Sequence, residues 1–287
     1  MLATLGDLVD DIAVRVGPIN VASDTDATIV RRRGGSAANV AASAARITGA
    51  SRFLGQVGTD AIGAALLDEL DGDGVDVGFV RREGRTGTIV VLVDGDGERT
   101  MLVDRGSARE LADPQSAWLD DVDVLHVPFY SLAFGPIADT ATTLVGWAQE
   151  RRIAVSVDAS SVAVLEGYGI AAAGDQIAEL RPHVVFANAD EAEVLGIEAP
   201  FAGAITFVKR GAGPATVFVP GGGSHDVAAT AVAGAPDTTG AGDAFAAGVL
   251  TFEAWRDDPV AACAAGHASA GHVLAARATS RPTSACG

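Results

Sequence analysis

The sequence predicts an α/β domain: a mainly parallel central sheet with helices on both faces, and a small β-sheet set apart as a lid. Three observations predict it. Short β-branched runs bounded by glycine, proline and aspartate alternate with longer helical patterns along most of the 287 residues. Parallel strands joined by helical crossovers require that order. The runs read as buried strands, which suits a sheet covered on both sides. Two segments, 12–33 and 88–104, break the alternation with paired strand-like runs of their own.

Taken in order, residues 2–8, 52–57, 122–127, 153–158, 184–187 and 204–209 read as the buried strands. Residues 37–47, 61–70, 137–152 and 175–180 read as helices between them. The stretch 260–276 is alanine-rich and interrupted by His267 and His272, so it reads as a buried helix rather than a membrane span. In the exceptional segments the strand-like runs are 12–16 and 27–30, then 88–93 and 99–103. Gly95-Asp96-Gly97 between the last two is a hairpin signal. The expected division is an α/β core of residues 1–11, 34–87 and 105–287, with residues 12–33 and 88–104 forming a lid able to close over a site. In such sheets ligands gather beyond the carboxyl ends of the strands.

Composition excludes several classes. A chain 48% hydrophobic with few aromatics suits small-residue helices packed closely on a sheet and argues against disorder. The formal net charge of −17 disfavours non-specific binding to nucleic acid or an anionic membrane. Cys263 and Cys286 are the chain's two cysteines and form no C-x-x-C pair. That fits a reducing cytoplasm without a disulfide framework or structural zinc. The first residues are too short and too uncharged for a signal peptide, so the expectation is a soluble cytoplasmic protein.

The most informative stretch is Pro236-Asp237-Thr238-Thr239-Gly240-Ala241-Gly242-Asp243-Ala244-Phe245. A glycine-rich turn runs straight into an apolar helical pattern. Consecutive amides at Gly240, Ala241 and Gly242 can therefore converge at a helix N-terminus, where orphan N–H groups and the helix dipole favour an anion. Asp243 in the first turn would sit beside that anion, able to take a proton from an attacking hydroxyl. The plainer alternative is a helix start capped by Thr239, with Asp243 complementing the dipole.

Asp237-Thr238-Thr239-Gly240-Ala241-Gly242-Asp243 resembles the D-T-x-G-A-G-D signature of the PfkB carbohydrate kinases. Upstream, Gly34-Gly35-Ser36-Ala37-Ala38-Asn39-Val40-Ala41 resembles the family's G-G-x-x-x-N-x-A signature, followed by Gly55-x-x-Gly58-x-Asp60-x-x-Gly63. The resemblance runs from Gly6 to the final helix. It implies the three-layer ribokinase-like fold and ATP-dependent, Mg²⁺-requiring phosphorylation of a small sugar, with a monovalent cation such as K⁺ as a further candidate. Asp243 is then the general base, and Gly240, Ala241 and Gly242 the anion hole. Many relatives dimerise through the lid, so a homodimer is expected.

Other positions support this reading. Asn188-Ala189-Asp190-Glu191 follows a strand and opens a helix; oxygens at i and i+3 share a face and can hold the water shell of Mg²⁺. Asn188 and Glu191 resemble the family's N-x-x-E motif, while a capping box is the structural alternative. Lys209, the only lysine, lies in a segment similar to the family's K-x-G nucleotide loop with Gly211; a solvated surface lysine is the alternative. Asp11 occupies the position of the family's substrate-binding aspartate, with Asp7 and Asp10 as neighbours that could be mistaken for it. Gly34, Gly35 and Asn39 are expected to line the same pocket.

Asp158 lacks the Asn and Arg that usually follow it in the family and is expected to stand behind the site. Arg105 is placed either against a polar substrate or as a hinge anchor. His126 is expected in the core. The lid holds no Trp or Tyr, and only Phe79 lies near, which favours a sugar over a nucleoside needing a stacking platform. No G-x-G-x-x-G follows the first strand and no P-loop is present, which excludes the commonest dinucleotide and P-loop folds. A non-catalytic sugar- or nucleotide-binding protein remains the alternative of a different class.

Overall fold

A computed structural model describes residues 1–94, 99–229, 232 and 238–279. Along the chain, β1 (Leu2–Leu5), β2 (Val9–Val16) and β3 (Ala27–Gly34) precede α1 (Ser36–Thr48). Then come β4 (Ser51–Leu54), β5 (Gln56–Val57), α2 (Ala61–Gly72), β6 (Val75–Asp76), β7 (Arg81–Arg82), β8 (Thr86–Val93) and β9 (Arg99–Gly106). The next stretch holds β10 (Val124–Pro128), α3 (Tyr130–Ala133), α4 (Pro136–Glu150), β11 (Ala154–Asp158), α5 (Val162–Tyr168) and α6 (Ile170–Glu179). It continues through β12 (Val184–Asn188), α7 (Ala189–Val194), β13 (Ile205–Lys209), β14 (Ala215–Val219) and β15 (Gly223–Val227) to α8 (Ala241–Leu250) and α9 (Pro259–Thr279).

The main sheet has nine strands in the order β15-β14-β13-β12-β11-β10-β1-β4-β6. From β6 to β13 all neighbours are parallel, and β14 and β15 add an antiparallel edge. Alternate residues of each strand feed opposite cores. Val155, Val157, Val185 and Ala187 pack with α4 to α7, whereas Ala154, Val184 and Phe186 pack with α1, α8 and α9. A strand buried on both faces must be apolar throughout, which is why these runs are continuous rather than alternating. Chain order reverses between β1 and β10, because β4 lies beyond one and β11 beyond the other. The carboxyl ends of those strands open into a crevice at this switch point.

The second sheet has the order β3-β2-β8-β9, with β2 antiparallel to β3 and parallel to β8. Asp60 ties its root to the core. It caps α2 through Gly63 N–H (2.8 Å) and accepts from the Thr86 amide (2.8 Å) and hydroxyl (2.6 Å) at the start of β8. The Thr86 hydroxyl and backbone bonds hold its carboxyl below the ordinary aspartate value against the opposing effect of burial.

Several expected elements differ in extent. The run 2–8 ends at Leu5, and Gly6-Asp7-Leu8 crosses directly into β2. The run 52–57 is divided at Gly55 between two sheets. The helix expected at 175–180 is Ile170–Glu179. Strands β14 and β15 were not expected, since their half-exposed pattern lacks a strong apolar run. The Gly95-Asp96-Gly97 turn and Cys286 lie outside the described residues; Cys263 is buried without a disulfide partner among them. No helix among the described residues is long and apolar enough to cross a membrane.

Candidate active site

The crevice is a cavity of about 460 Å³. Its polar residues arrive from strand ends: Asp7 just after β1, Asp158 closing β11, Asn188 closing β12 and Lys209 closing β13. Two helix N-termini meet there. Gly35 and Ser36 open α1, and Gly240 to Asp243 open α8. Neither helix has a side-chain cap, although both begin in the cleft. Uncapped amides at two converging dipole ends create a local positive field in an acidic protein.

Gly35 is held at φ 106, and a Cβ there would stand 2.1 Å from the Asp7 carbonyl oxygen. No other residue fits this crossing of β1 and α1. Gly240 is the N-cap of α8 at φ 77 and no side chain caps the helix, so the alternative of a start capped by Thr239 does not hold. The Ala241 amide donates to Thr238 O (3.1 Å) and closes the turn. It is therefore occupied, whereas the amides of Gly242 and Asp243 have no partner among the described residues. Of the three amides expected to form an anion hole, the middle one is committed to the turn that builds it.

Asp243 joins the two helices. Its Oδ1 accepts from the Ser36 hydroxyl (2.7 Å) and its Oδ2 from Asn39 Nδ2 (2.9 Å). Burial raises its pKa to about 6, against the opposing pull of these two hydrogen bonds. An ionised carboxylate poised near neutrality suits proton abstraction.

Asn188 and Glu191 form a complete capping box on α7. Glu191 N–H donates to Asn188 Oδ1 (2.9 Å), and the Glu191 carboxylate accepts from the Asn188 amide (2.8 Å) and Nδ2 (2.7 Å). Both residues nevertheless line the cleft, so the cap and the site share the same groups. Burial raises Glu191 to about 7, with Asp158 adding to the effect and Lys209 opposing it. Lys209 is no solvated surface residue: it donates to Asp158 Oδ2 at 2.7 Å, and both side chains are largely buried. Burial alone would lower its pKa, but Asp158 and Glu191 outweigh that and hold it above the ordinary lysine value. Its Nζ lies 3.4 Å from where a Cβ of Gly242 would stand. The expected nucleotide-loop lysine is thus turned towards the α8 N-terminus, and Asp158 orients it there.

The aspartate that reaches the cleft from the β1–β2 crossing is Asp7. One oxygen pairs with Arg105, and the other is buried without a hydrogen-bond partner. Asp10 pairs with Arg31 on β3. Of the expected sugar-pocket residues Gly35 lines the cleft, but Asp11, Gly34 and Asn39 do not. Asp11 packs beside Gly34 at the root of the four-stranded sheet, in register with Ile89, which does line it. Asn39 reaches the cleft only through its hydrogen bond to Asp243. Arg105 stacks over Tyr130, 4.1 Å from the ring centre. Tyr130 is a cleft residue that the sequence reading missed; its only signal was its place just past a strand end. Phe79 lies under Arg52, away from the cleft. His126 is buried in the core with its pKa lowered to about 4 by burial. Gly211 lines both the cleft and a smaller adjoining cavity of about 210 Å³, walled by Phe245, His267 and Leu274. His272 lies outside it.

Among the described residues no three His, Cys, Asp or Glu side chains gather as a metal cage. Asn188 and Glu191 present amide and carboxylate oxygens on the cleft wall, a donor set suited to a hydrated divalent cation.

The family model described as pfkB family carbohydrate kinase matches residues 1–286. An ATP-dependent ribose-1-phosphate kinase from Halopiger xanaduensis is 34% identical, over 86% of this chain and 82% of that protein. A fructokinase from Vibrio alginolyticus is 28% identical, over 86% of each. Among solved structures, an adenosine kinase from Sinorhizobium meliloti superposes with a TM-score of 0.79 at 23% identity, covering 95% of this chain and 93% of that one. A Halothermothrix orenii fructokinase superposes with a TM-score of 0.78 at 22% identity, over 94% and 97%. The enzyme class is therefore a sugar kinase. The chain belongs to the pfkB family of carbohydrate kinases.

Proposed function

We propose that the chain transfers the terminal phosphoryl group of Mg²⁺–ATP to a hydroxyl of a small sugar. The observation that carries this is the Asp243 carboxylate, fixed between Ser36 and Asn39 beside the open amides of α8 and the Lys209 ammonium. The acceptor hydroxyl gives its proton to Asp243. The Gly242 and Asp243 amides and Lys209 stabilise charge on the phosphoryl in transit. Mg²⁺ would supply charge neutralisation on the phosphates, its water shell ordered by Asn188 and Glu191. The adenine lies in the apolar cavity by Gly211 and His267. Sugar hydroxyls are read by Asp7 and Gly35, with Asp11 and Gly34 at the lid root behind them, while Asn39 holds Asp243 in place.

Residues 12–33 and 88–104 act as the lid. Ile29 is 63% exposed, Met101 57% and Leu102 56%, and these side chains on a four-stranded sheet with free edges favour a homodimer paired through the lid. Arg105 covers one face of the Tyr130 ring, which leaves a nucleobase less aromatic surface to stack on in the acceptor site.

The test is ADP release with Mg²⁺–ATP against a panel of pentoses, hexoses, their phosphates and nucleosides. Turnover with a sugar or sugar phosphate is expected. Turnover with nucleosides alone would replace the acceptor, and none at all would point to a binding protein. With the acceptor found, kcat/KM should be flat at alkaline pH and fall as pH drops. The base is ionised above its pKa and lost below it, so the midpoint should lie between about 6 and about 7, the values of Asp243 and Glu191. A profile flat down to pH 5 would remove Asp243 from the proton transfer.

A further inference from the structure

We propose a second anion-binding pocket, built for a phosphate monoester, on the far side of the wall that holds Asp243. It is a cavity of about 420 Å³, within the size range of small-molecule sites. Arg31, Arg32 and Arg33 of β3, Arg46 of α1 and Arg277 of α9 line it, with Glu69 as the acidic residue on its wall. Five of the chain's 20 basic residues thus face one cavity in a protein of net charge −17.

Carboxylates already orient guanidinium groups of this pocket. Arg31 is held by Asp10, Arg33 by Asp73 (2.8 Å) and Glu69 (3.4 Å), and Arg46 by Asp73 (2.9 Å). Asp10, Asp73 and Glu69 thus fix the direction of the Arg31, Arg33 and Arg46 guanidinium planes. Arg33 adds an independent sign of a missing ligand. Its side chain is 7% exposed, yet its Nε has no hydrogen-bond partner. Buried guanidinium N–H groups are nearly always satisfied, and planar forks of this kind match phosphate oxygens.

The pocket is coupled to the cleft. Gly240 lines both cavities, and Asn39, on the wall of the basic one, donates to Asp243. A Cβ on Gly240 would stand 3.6 Å from Arg277 Nη2 and 3.8 Å from Asn39 Nδ2. A phosphate here therefore touches the segment that positions the base. Its source is either the acceptor's own phosphate or a separate phosphorylated metabolite.

Binding of inorganic phosphate and of ribose 1-phosphate to the full chain, measured by calorimetry without nucleotide, tests the pocket independently of whether the chain is a kinase. Saturable binding is expected. It should weaken at least tenfold in Arg46→Gln, whose side chain is 56% exposed and whose unchanged thermal unfolding is checked alongside, and tighten in Glu69→Gln. Absence of saturable binding would overturn the proposal. So would binding displaced by ADP and unchanged in Arg46→Gln, because it would then belong to the cleft. Steady-state kinetics separates the sources. If the phosphate is the acceptor's, Arg46→Gln lowers kcat/KM for ribose 1-phosphate and leaves ribose unaffected. If it belongs to an effector, Arg46→Gln abolishes the response of sugar turnover to added phosphate.

Discussion

Replacement of Asp243 by asparagine should lower kcat by about 10²–10⁴-fold, the contribution usual for a positioned general base. Asparagine keeps the size of the side chain but cannot take a proton, and it offers an amide N–H₂ where Ser36 and Asn39 now donate to oxygen. Both the proton acceptor and the link between α1 and α8 are affected, yet none of Asp243, Ser36 and Asn39 lines the apolar cavity by Gly211 and His267 proposed for the adenine. ATP affinity, read by calorimetry in the absence of acceptor, should change by less than about threefold. A variant that kept near-normal kcat would show that the acceptor is deprotonated elsewhere. Asp243→Ala distinguishes a lost base from a clash, since both variants should be equally slow if the base is what matters.

Replacement of Lys209 by methionine should lower kcat by about 10²–10³-fold, the magnitude found when one preorganised charge-stabilising donor is removed. Methionine retains an apolar stem of similar length and removes the ammonium, which lies 5.8 Å from the Phe186 ring centre. Acceptor KM should hold, because Lys209 faces the α8 N-terminus and Asp158 rather than the sugar side. Two further effects identify the cause. Asp158 is left buried without its partner, so the protein should lose stability, by about 3–5 kcal/mol for a fully buried pair and less here where both side chains keep some exposure. Glu191, whose pKa Lys209 restrains, should titrate higher, and the acid limb of kcat/KM should move up with it. If kcat stays within about threefold of the parent while stability falls, Lys209 is a structural ion-pair partner and nothing more.

The legible part of the site was the part carried by backbone. Gly34-Gly35 and Gly240-Ala241-Gly242 announce helix starts where side chains are excluded, and the structure places both at one cleft. Side-chain direction was not legible in the same way. Asp7, Asp10 and Asp11 are near neighbours in sequence, but the crossing from one sheet to the other sends Asp7 into the cleft, Asp10 to Arg31 and Asp11 to the root of the four-stranded sheet. Lys209 was equally undecidable, because its partner Asp158 is 51 residues away. Tyr130 gave no motif at all; it is a cleft residue only because β10 lies next to the switch point.

By itself the sequence determined the layered α/β core and the two glycine turns, since hydrophobic period and the φ preference of glycine are local properties that act before any tertiary contact forms. Folding decided which charges meet: Asp243 with Ser36 and Asn39, Lys209 with Asp158, and five arginines around one pocket. Those pairings join residues up to 207 positions apart. Their energies depend on burial and distance, which exist only once the sheet has brought its strand ends together.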